Sequence, residues 1–287
     1  LTLLSQAGYR VGLYTSPHLS SVRERFRIGD SLISEEKFAE LATRIRWVLG
    51  DDKITYFEFT TALAFLWFAE ENLDLVILET GLGGRLDATN IVTPLVSVIT
   101  NISMDHEAYL GDTISAVAGE KAGIIKPAVP VVSAARSGEG LEVIEAVCRE
   151  RSAKLYLYGD AFSASRADNR SWQWQGKNEF RGSIHQNLHC SMKGAYQMEN
   201  ASLALAVIEL LKGEEVTIST EEIRKGLLSV SWPGRLEYFC LDRSSRKRVQ
   251  CSGEKNTLSY LLDGAHNPAG VISLVETLNN ELPFKRL

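Results

Sequence analysis

Short apolar segments alternate with helical segments along most of the chain, and this alternation constrains the fold more than any other feature. The strand-like segments are YRVGLYTS, LDLVILE, LVSVITN, VPVVSA and KLYLYG. Helical patterns lie between them, over 35–49, 57–71, 113–125 and 138–151. Nearly continuous apolar strands separated by helices are typical of a parallel sheet that is covered on both faces. The sequence therefore predicts an α/β protein with a doubly wound, mostly parallel sheet.

Two regions depart from this pattern. Residues 160–190 contain short polar and aromatic runs such as SWQWQG, which predict antiparallel strands added at an edge of the sheet. The segment SWPGRLE at 231–237 has the proline and glycine of a junction, and only the strand LSYLLD and one helix over about 270–280 follow it. One strand and one helix cannot enclose a core. We therefore expect a first domain over 1–233 and only the beginning of a second domain over 234–287.

The charge balance argues against a nucleic-acid partner. The chain of 287 residues carries a net charge of -5, and its basic run at 243–248 is short and interrupted by two serines. Binding to phosphates would need an excess of clustered lysine and arginine, so this run is interpreted as a solvated turn. The apolar run ALAFLWFA at 62–69 is far shorter than the roughly 20 residues that a membrane helix needs. We expect neither nucleic acid nor membrane as a partner.

The four cysteines predict no metal site and no disulfide framework. Cys148, Cys190, Cys240 and Cys251 are widely spaced and form no CxxC pair. Reduced thiols in the cytoplasm fit this pattern best. The first residues, LTLLSQAGYR, have no initiator methionine, no basic leader region and no cleavage site. We expect the chain to be a piece of a longer protein.

Polar residues follow several of the predicted strands at the point where each strand ends. In open α/β sheets, ligands bind beyond the carboxyl ends of the strands. Hydroxyl, carboxylate and imidazole groups at these ends are candidates to converge on one cation. The residues concerned are Thr15, Ser16, Glu79 and the segments 101–106 and 263–266.

Each of these residues also has a structural explanation. Glu79 ends the strand of VILETGLGGRLDATN, where a carboxylate before a glycine-rich turn is more often a loop or capping group than a metal ligand. The segment GLGGR has neither the GxGxxG nor the GxxxxGK[ST] spacing of a phosphate loop. A structural explanation for Gly81, Gly83 and Gly84 is that they do no more than supply positive φ angles for the turn. The coincidence at several strand ends is what favours a site.

Five ordered segments resemble a known family: YTSPHLSSVRERFRI, ETGLGGRLDATN, ITNISMDHEAYLGDT, GEKAGIIKP and LDGAHNPAG. They are similar to the signature stretches of the folylpolyglutamate synthase and dihydrofolate synthase family, a branch of the Mur ligase superfamily. The resemblance implies an enzyme that joins L-glutamate to a folate or dihydropteroate carboxylate with ATP, through an acyl phosphate that the amine displaces. It also implies a P-loop-type ligase domain and a smaller Rossmann-like domain, with the active site between them.

The resemblance assigns roles to particular residues. It implies a magnesium site at Ser16, Glu79 and His106, although imidazole is an unusual magnesium ligand and would equally suit manganese. It implies that Lys121 is carbamylated and acts in catalysis with His106. Lys121 alone would be interpreted as a surface ion pair with Glu120. The residues implied to contact ATP are Asn200, Arg235, Asp263 and His266, of which Asn200 could also be the polar side of an amphipathic helix.

The sequence departs from the family pattern at both ends. A GTNGKGS-type phosphate loop should precede the helix that ends at Gly8, and most of the second domain is missing. We therefore expect the chain as it stands to be inactive. We expect the longer protein to be a cytoplasmic monomer. One alternative is a non-catalytic protein that binds a folate-like ligand or a partner. Another is a Mur ligase that acts on a nucleotide-linked peptide.

Overall fold

The computed structural model describes residues 1–104, 107–168, 171–251 and 256–281, and the predicted α/β class is confirmed. The first sheet has the strand order β3-β2-β1-β4, in which β1 is parallel to β4 and antiparallel to β2. The segment RFRIGDSLI forms a hairpin of β2 and β3 around its Gly-Asp turn. The elements of this first part are α1 (Thr2–Gln6), β1 (Val11–Tyr14), β2 (Phe26–Ile28), β3 (Ser31–Leu32), α2 (Glu35–Leu49), α3 (Tyr56–Glu70) and β4 (Leu75–Leu78).

Helices α2 and α3 begin where the sequence places capping residues. The Ser34 side chain accepts a hydrogen bond from the backbone N–H of Lys37. Thr55 accepts from the N–H of Glu58, whose carboxylate accepts in return from the N–H of Thr55. Such caps satisfy the backbone donors that the first helical turn leaves unpaired. The two helices pack against β1 through a core that includes Leu41, Leu63 and the fully buried Tyr14.

The second sheet contains three parallel strands in the order β5-β6-β7. Helical crossovers connect them, as parallel neighbours require. The isoleucine side chains of Ile99 and Ile144 are buried in the core between this sheet and α6. The elements are β5 (Ser97–Ile99), α4 (Glu107–Leu110), α5 (Ile114–Ala122), β6 (Val131–Ser133), α6 (Glu139–Glu150) and β7 (Leu155–Leu157).

The strands over 160–190 form a sheet of their own, so their predicted position at an edge of the parallel sheet is wrong. Their order is β10-β9-β8 and both pairings are antiparallel. The chain turns at Gly159, where φ is +91°, and β8 then pairs with β9. Phe162 and Trp174 are fully buried in a core shared with the next helix, and this burial stabilises the sheet. The elements are β8 (Phe162–Arg166), β9 (Trp172–Gly176), β10 (Ile184–Leu188), α7 (Tyr196–Leu211) and α8 (Thr220–Ser229).

The last part of the chain has more structure than the single strand predicted. Its sheet has the order β12-β11-β13, and β11 pairs with β13 in antiparallel register from Glu237↔Leu262 to Asp242↔Thr257. The additional strand β11 follows the junction immediately and is only partly buried, so it lacks the apolar signal of the other strands. The elements are β11 (Glu237–Asp242), β12 (Arg248–Val249), β13 (Thr257–Leu262) and α9 (Pro268–Glu281).

Cys240 and Cys251 form a disulfide, so the expectation of reduced thiols is wrong for this pair. Cys240 lies opposite Val249 in the β11–β12 pair, which brings Cys251 close to it, with the two Cα atoms 5.2 Å apart. This proximity arises from strand pairing, and the spacing in the sequence does not reveal it. Cys148 and Cys190 are free thiols. In the described ranges, none of the helices combines the length and apolar character needed to cross a membrane.

Candidate functional site

Ser16 and Glu79 lie side by side at the carboxyl ends of two neighbouring parallel strands. Tyr14 and Leu78 are partners in the β1–β4 register, so the residues that follow them emerge at the same edge. The backbone N–H of Glu79 donates to the carbonyl of Tyr14 at 2.9 Å. The N–H of Ser16 donates to Oε2 of Glu79 at 2.8 Å. The structure thus brings together two of the three residues implied to bind the metal.

The surroundings of Glu79 combine partial desolvation with nearby positive charge. Although the residue is open to solvent, neighbouring protein atoms remove part of its hydration, and this desolvation raises the pKa of the carboxyl group. The Ser16 N–H and the charges of Arg235 and Arg25 oppose the rise. The two arginines come from distant parts of the chain. Their positive charges attract anionic groups to this edge of the sheet.

The donors present fit a hard divalent cation. Glu79 offers carboxylate oxygens and Ser16 offers a hydroxyl beside it, and oxygen ligands are those that magnesium prefers. His106, the third implied ligand, lies outside the described residues. Within the part of the chain that the structure describes, no group of three His, Cys, Asp or Glu side chains could hold a metal ion. A cation here would need oxygen donors in addition to Ser16 and Glu79.

Lys121 lies in the last turn of α5 and lines a cavity of about 170 Å³ that begins directly after Glu79. The cavity joins the glycine loop after β4 to the helix that carries Lys121. It can admit a small polar group beside the lysine. Its other lining residues are Thr80, Gly81, Leu82, Gly83, Leu110 and Val117.

The loop after Glu79 is organised by Asp87, a residue that the sequence reading did not single out. Its Oδ2 accepts from the backbone N–H groups of Gly81 and Leu82, at 2.8 and 3.0 Å. Its Oδ1 accepts from the N–H of Thr89 at 2.9 Å, and also from the Thr89 hydroxyl. The D-x-T spacing of a short helix cap in LDATN is the local signal that could have indicated it.

The three glycines of this loop have different roles. Only Gly83 among them has a positive φ, +65°. A Cβ at Gly81 would lie 2.5 Å from the Phe57 ring, and a Cβ at Gly84 would lie 2.8 Å from the Glu120 carbonyl oxygen. The interpretation that all three supply positive φ angles is therefore wrong for Gly81 and Gly84. Those two allow the loop to approach its neighbours closely.

Arg235 and Asp263 meet at the junction between the first part of the chain and the β11–β13 sheet. The guanidinium of Arg235 lies against Gly264, and its positive charge opposes the rise in the pKa of the Glu79 carboxyl group. Asp263 accepts from the N–H groups of Leu236 and Ala265, each at 2.8 Å. Both carboxylate oxygens of Asp263 therefore fix the backbone near Arg235 by accepting hydrogen bonds from it. Nδ1 of the exposed His266 donates to the carbonyl of Gly264 at 2.8 Å.

The N-terminal end of α7 is close to the same junction. Burial raises the pKa of the Tyr196 hydroxyl, and the nearby charge of Asp263 raises it further. Asn200 lies one helical turn later, is exposed, and donates from Nδ2 to the side chain of Gln197 at 3.2 Å. The junction thus gathers Tyr196, Arg235 and Asp263. Among the described contacts, none links Asn200 directly to the Ser16–Glu79 pair.

Arg25 is a second residue at this edge that the sequence reading missed. It is only 8% exposed, its Nε donates to Nδ1 of His18 at 2.9 Å, and its guanidinium lies over the ring of Tyr56. Its carbonyl accepts from the N–H of Thr15 at 3.0 Å, which fixes it beside Ser16. A buried arginine next to a strand end is visible only in three dimensions.

Comparisons with known proteins identify a family that the chain matches. Residues 31–208 match the model of the Mur ligase middle domain. The chain is 38% identical over 296 residues to a dihydrofolate synthase/folylpolyglutamate synthase of Bacillus subtilis, with 100% of this chain and 65% of that protein covered. It therefore spans slightly less than two thirds of that relative.

Solved structures of similar proteins have the same fold. A folylpolyglutamate synthase of Thermotoga maritima aligns with a TM-score of 0.80 at 38% identity, covering 97% of this chain and 62% of that one. A bifunctional folylpolyglutamate synthase/dihydrofolate synthase with Mn, AMPPNP and L-glutamate bound aligns with a TM-score of 0.79 at 36% identity. That alignment covers 97% of this chain and 61% of the other.

Proposed function

Since the chain belongs to the folylpolyglutamate synthase and dihydrofolate synthase branch of the Mur ligases, we propose that the whole protein is an ATP-dependent ligase. It joins L-glutamate to the carboxylate of a folate or a dihydropteroate. The reaction passes through an acyl phosphate, which the amine of glutamate displaces. The observation that carries this proposal is the pairing of Ser16 with Glu79 at the end of β1 and β4, beside the cavity of Lys121.

Glu79 and Ser16 are proposed to hold a divalent cation. When bound, such a cation screens the repulsion between the substrate carboxylate and the γ-phosphate of ATP. Glu79 suits this role because its backbone is fixed by β4 and one of its oxygens is held by the Ser16 N–H. Arg25 and Arg235 add positive charge at the same edge, which favours the approach of anionic substrates.

Lys121 is proposed to carry a carbamate. The ammonium would first lose one proton; the neutral amine would then attack the carbon of carbon dioxide, form an N–C bond as one C=O electron pair moves to oxygen, and lose a second proton, so that a cationic side chain becomes an anionic one. The cavity beside Lys121 has room for the added group, and the open glycine loop gives access to it. The anion could then support metal binding together with His106, which we propose as the remaining ligand and catalytic partner.

The nucleotide is proposed to bind at the junction near residue 233, which we take as the boundary between a domain over 1–233 and one that begins at 234. Arg235 is suited to contact the phosphates because Asp263 fixes the backbone next to it, through the N–H of Leu236. Asn200 and His266 are exposed and are proposed to contact the same nucleotide. Asp263 would act here chiefly by holding the backbone, since both of its oxygens already accept hydrogen bonds.

We further propose that the protein is a cytoplasmic monomer whose partners are small molecules, without nucleic acid or membrane. The acidic net charge of -5 supports the absence of a nucleic-acid partner. The Cys240–Cys251 disulfide is atypical of a cytoplasmic protein and is the one observation that argues against this location.

ADP release by the whole protein tests the proposed function. The assay contains ATP, magnesium and L-glutamate, with either dihydropteroate or tetrahydrofolate as the carboxylate substrate. We expect release that requires both glutamate and one of these carboxylates. Glu79→Ala should lower turnover at least a hundredfold, because loss of a charged ligand removes roughly 3 kcal/mol of transition-state stabilisation. Glu71→Ala is the matched control, since Glu71 pairs with Arg10 before β4, at the opposite end of the strand. Full activity of Glu79→Ala would contradict the assignment.

A further inference from the structure

We infer that Arg85 and Glu120 form a clamp that positions Lys121 relative to Glu79; this inference rests on the proposed function. The backbone N–H of Arg85 donates to the carbonyl of Glu120 at 2.8 Å. The Arg85 guanidinium donates from Nε and Nη2 to Oε1 of Glu120, at 3.1 and 2.8 Å. Main chain and side chain of the same two residues are thus paired, which fixes both the separation and the orientation of loop and helix.

Steric contact reinforces the hydrogen bonds of the Arg85–Glu120 clamp. A Cβ at Gly84 would lie 2.8 Å from the Glu120 carbonyl oxygen and 3.1 Å from that of Lys121. A Cβ at Gly123 would lie 2.4 Å from the Cα atom of Arg85. The loop therefore touches the last turn of α5 backbone to backbone on both sides of Lys121. Side chains at either glycine would force the two segments apart.

Asn90 and Lys126 extend the contact beyond the helix. Nδ2 of Asn90 donates to the carbonyls of Arg85 and Gly123, at 3.1 and 3.0 Å. Nζ of Lys126 donates to the carbonyl of Asn90 at 2.8 Å. The Asn90 side chain therefore links the loop to Gly123, the residue directly after α5, and Lys126 links the following segment to the same loop.

At its other end, the loop is tied to Glu79. Asp87 holds the N–H groups of Gly81 and Leu82, the second and third residues after Glu79. Lys121, next to Glu120, lines the cavity that these same loop residues form. A continuous set of short contacts therefore runs from the strand end of Glu79 to the helix end of Lys121. Displacement of Arg85 would move the lysine with respect to the carboxylate.

The simpler interpretation is an ordinary surface ion pair that affects only stability. The Arg85 side chain is 56% exposed and that of Glu120 is 26% exposed, so solvent screens their attraction. Such pairs contribute little to folding. The two interpretations consequently predict different results: a positioning pair changes the behaviour of Lys121 and turnover, whereas a surface pair changes neither.

The experiment compares Arg85→Ala, Arg85→Lys and Glu120→Gln with Arg10→Ala. The Arg10–Glu71 pair is a matched control, because its side chains are 47% and 29% exposed and it lies at the opposite end of β4. Four quantities are measured: kcat, KM for ATP, the melting temperature, and the rate at which a succinimidyl ester labels Lys121. The labelling is carried out in carbon-dioxide-free buffer, where Lys121 is an uncarbamylated amine, and is read by peptide mass spectrometry. Hydrogen exchange of amides 81–87 and 120–124 gives an independent measure of loop and helix contact.

We expect Arg85→Ala to lower kcat at least tenfold, with KM for ATP changed less than twofold and a melting temperature close to that of Arg10→Ala. Labelling of Lys121 should change at least threefold and exchange of amides 81–87 should accelerate, while Arg85→Lys, which keeps one donor, recovers part of the loss. Glu120→Gln keeps the shape of the side chain and should fall between Arg85→Ala and wild type.

Arg85→Ala with the labelling, exchange and kcat of Arg10→Ala would overturn the inference. If Arg85→Ala does not fold, Arg85→Lys and Glu120→Gln decide by the same readouts. If the wild-type protein releases no ADP, the proposed function fails. The labelling and exchange rates still decide whether Arg85 positions Lys121.

Discussion

Nε2 of His185 donates to Oε1 of Glu209 at 2.8 Å in the interior between β10 and α7. Nζ of Lys212 donates to both oxygens of the same carboxylate, each at 2.8 Å. Burial would raise the pKa of Glu209, but the hydrogen bonds from His185, Lys212 and Ser183 outweigh it and lower the pKa to about 2. The cluster lies away from the candidate site, so we assign it to stability.

The Glu209 cluster predicts loss of stability in acid. Because the folded pKa lies below the ordinary value of 4.5, the ionised carboxylate stabilises the fold fully above about pH 4.5. That contribution, on the order of 3 kcal/mol at most, should be lost as the pH falls toward 2. Urea unfolding at pH 7, 4 and 3 measures it.

Glu209→Gln is the control for this effect. The amide cannot titrate, so the variant should be less stable than wild type at pH 7 and the difference should shrink at pH 3. A difference that is the same at pH 7 and pH 3 would show that the Glu209 cluster does not contribute in the way described.

Replacement of Lys121 by alanine should lower turnover of the whole protein at least a hundredfold. If the working group is a carbamate, acetate or formate should restore part of the activity, because a small carboxylate fits the cavity left beside α5. Lys154→Ala is the control, since Lys154 lies over the Tyr156 ring at the opposite ends of the parallel strands. A bare ammonium at Lys121 in active enzyme, seen by mass analysis under bicarbonate and in high-resolution density, would exclude carbamylation.

The disulfide predicts a count of reactive thiols. Unfolded without reductant, the chain should bind alkylating reagent at Cys148 and Cys190 only. After reduction, all four cysteines should react. Alkylation of four thiols without reductant would show that Cys240 and Cys251 are reduced in the purified protein, which would support the cytoplasmic location.

Local patterns account for the parts of the fold that the sequence predicts well. The Ser34 cap, the β2–β3 hairpin and the apolar segments of β1 and β4 are each encoded within a few residues. Ser219 likewise caps the start of α8, and the carboxylate of Glu222 completes the cap by accepting from the N–H of Ser219. In these places, local preference and the final packing agree.

Contacts between distant segments account for the rest. The sheet of β8, β9 and β10 depends on burial of Trp174 against α7, and the disulfide depends on the register of β11 with β12. Arg25 directly precedes β2, and β1 is the single strand between β2 and β4 in the sheet. This strand order brings Arg25 close to Glu79. The Ser16–Glu79 pairing was predicted because both residues end parallel strands, where topology alone brings them together.

The transfer of oxygen from substrate to phosphate tests the central claim most directly. The whole protein is supplied with ATP, L-glutamate and dihydropteroate or tetrahydrofolate whose reacting carboxylate is labelled with ¹⁸O, and the released phosphate is examined by mass spectrometry. An acyl phosphate formed at the Ser16–Glu79 edge predicts one ¹⁸O atom in each phosphate released with product. Phosphate that carries no ¹⁸O, although the glutamate adduct forms, would contradict the proposed route.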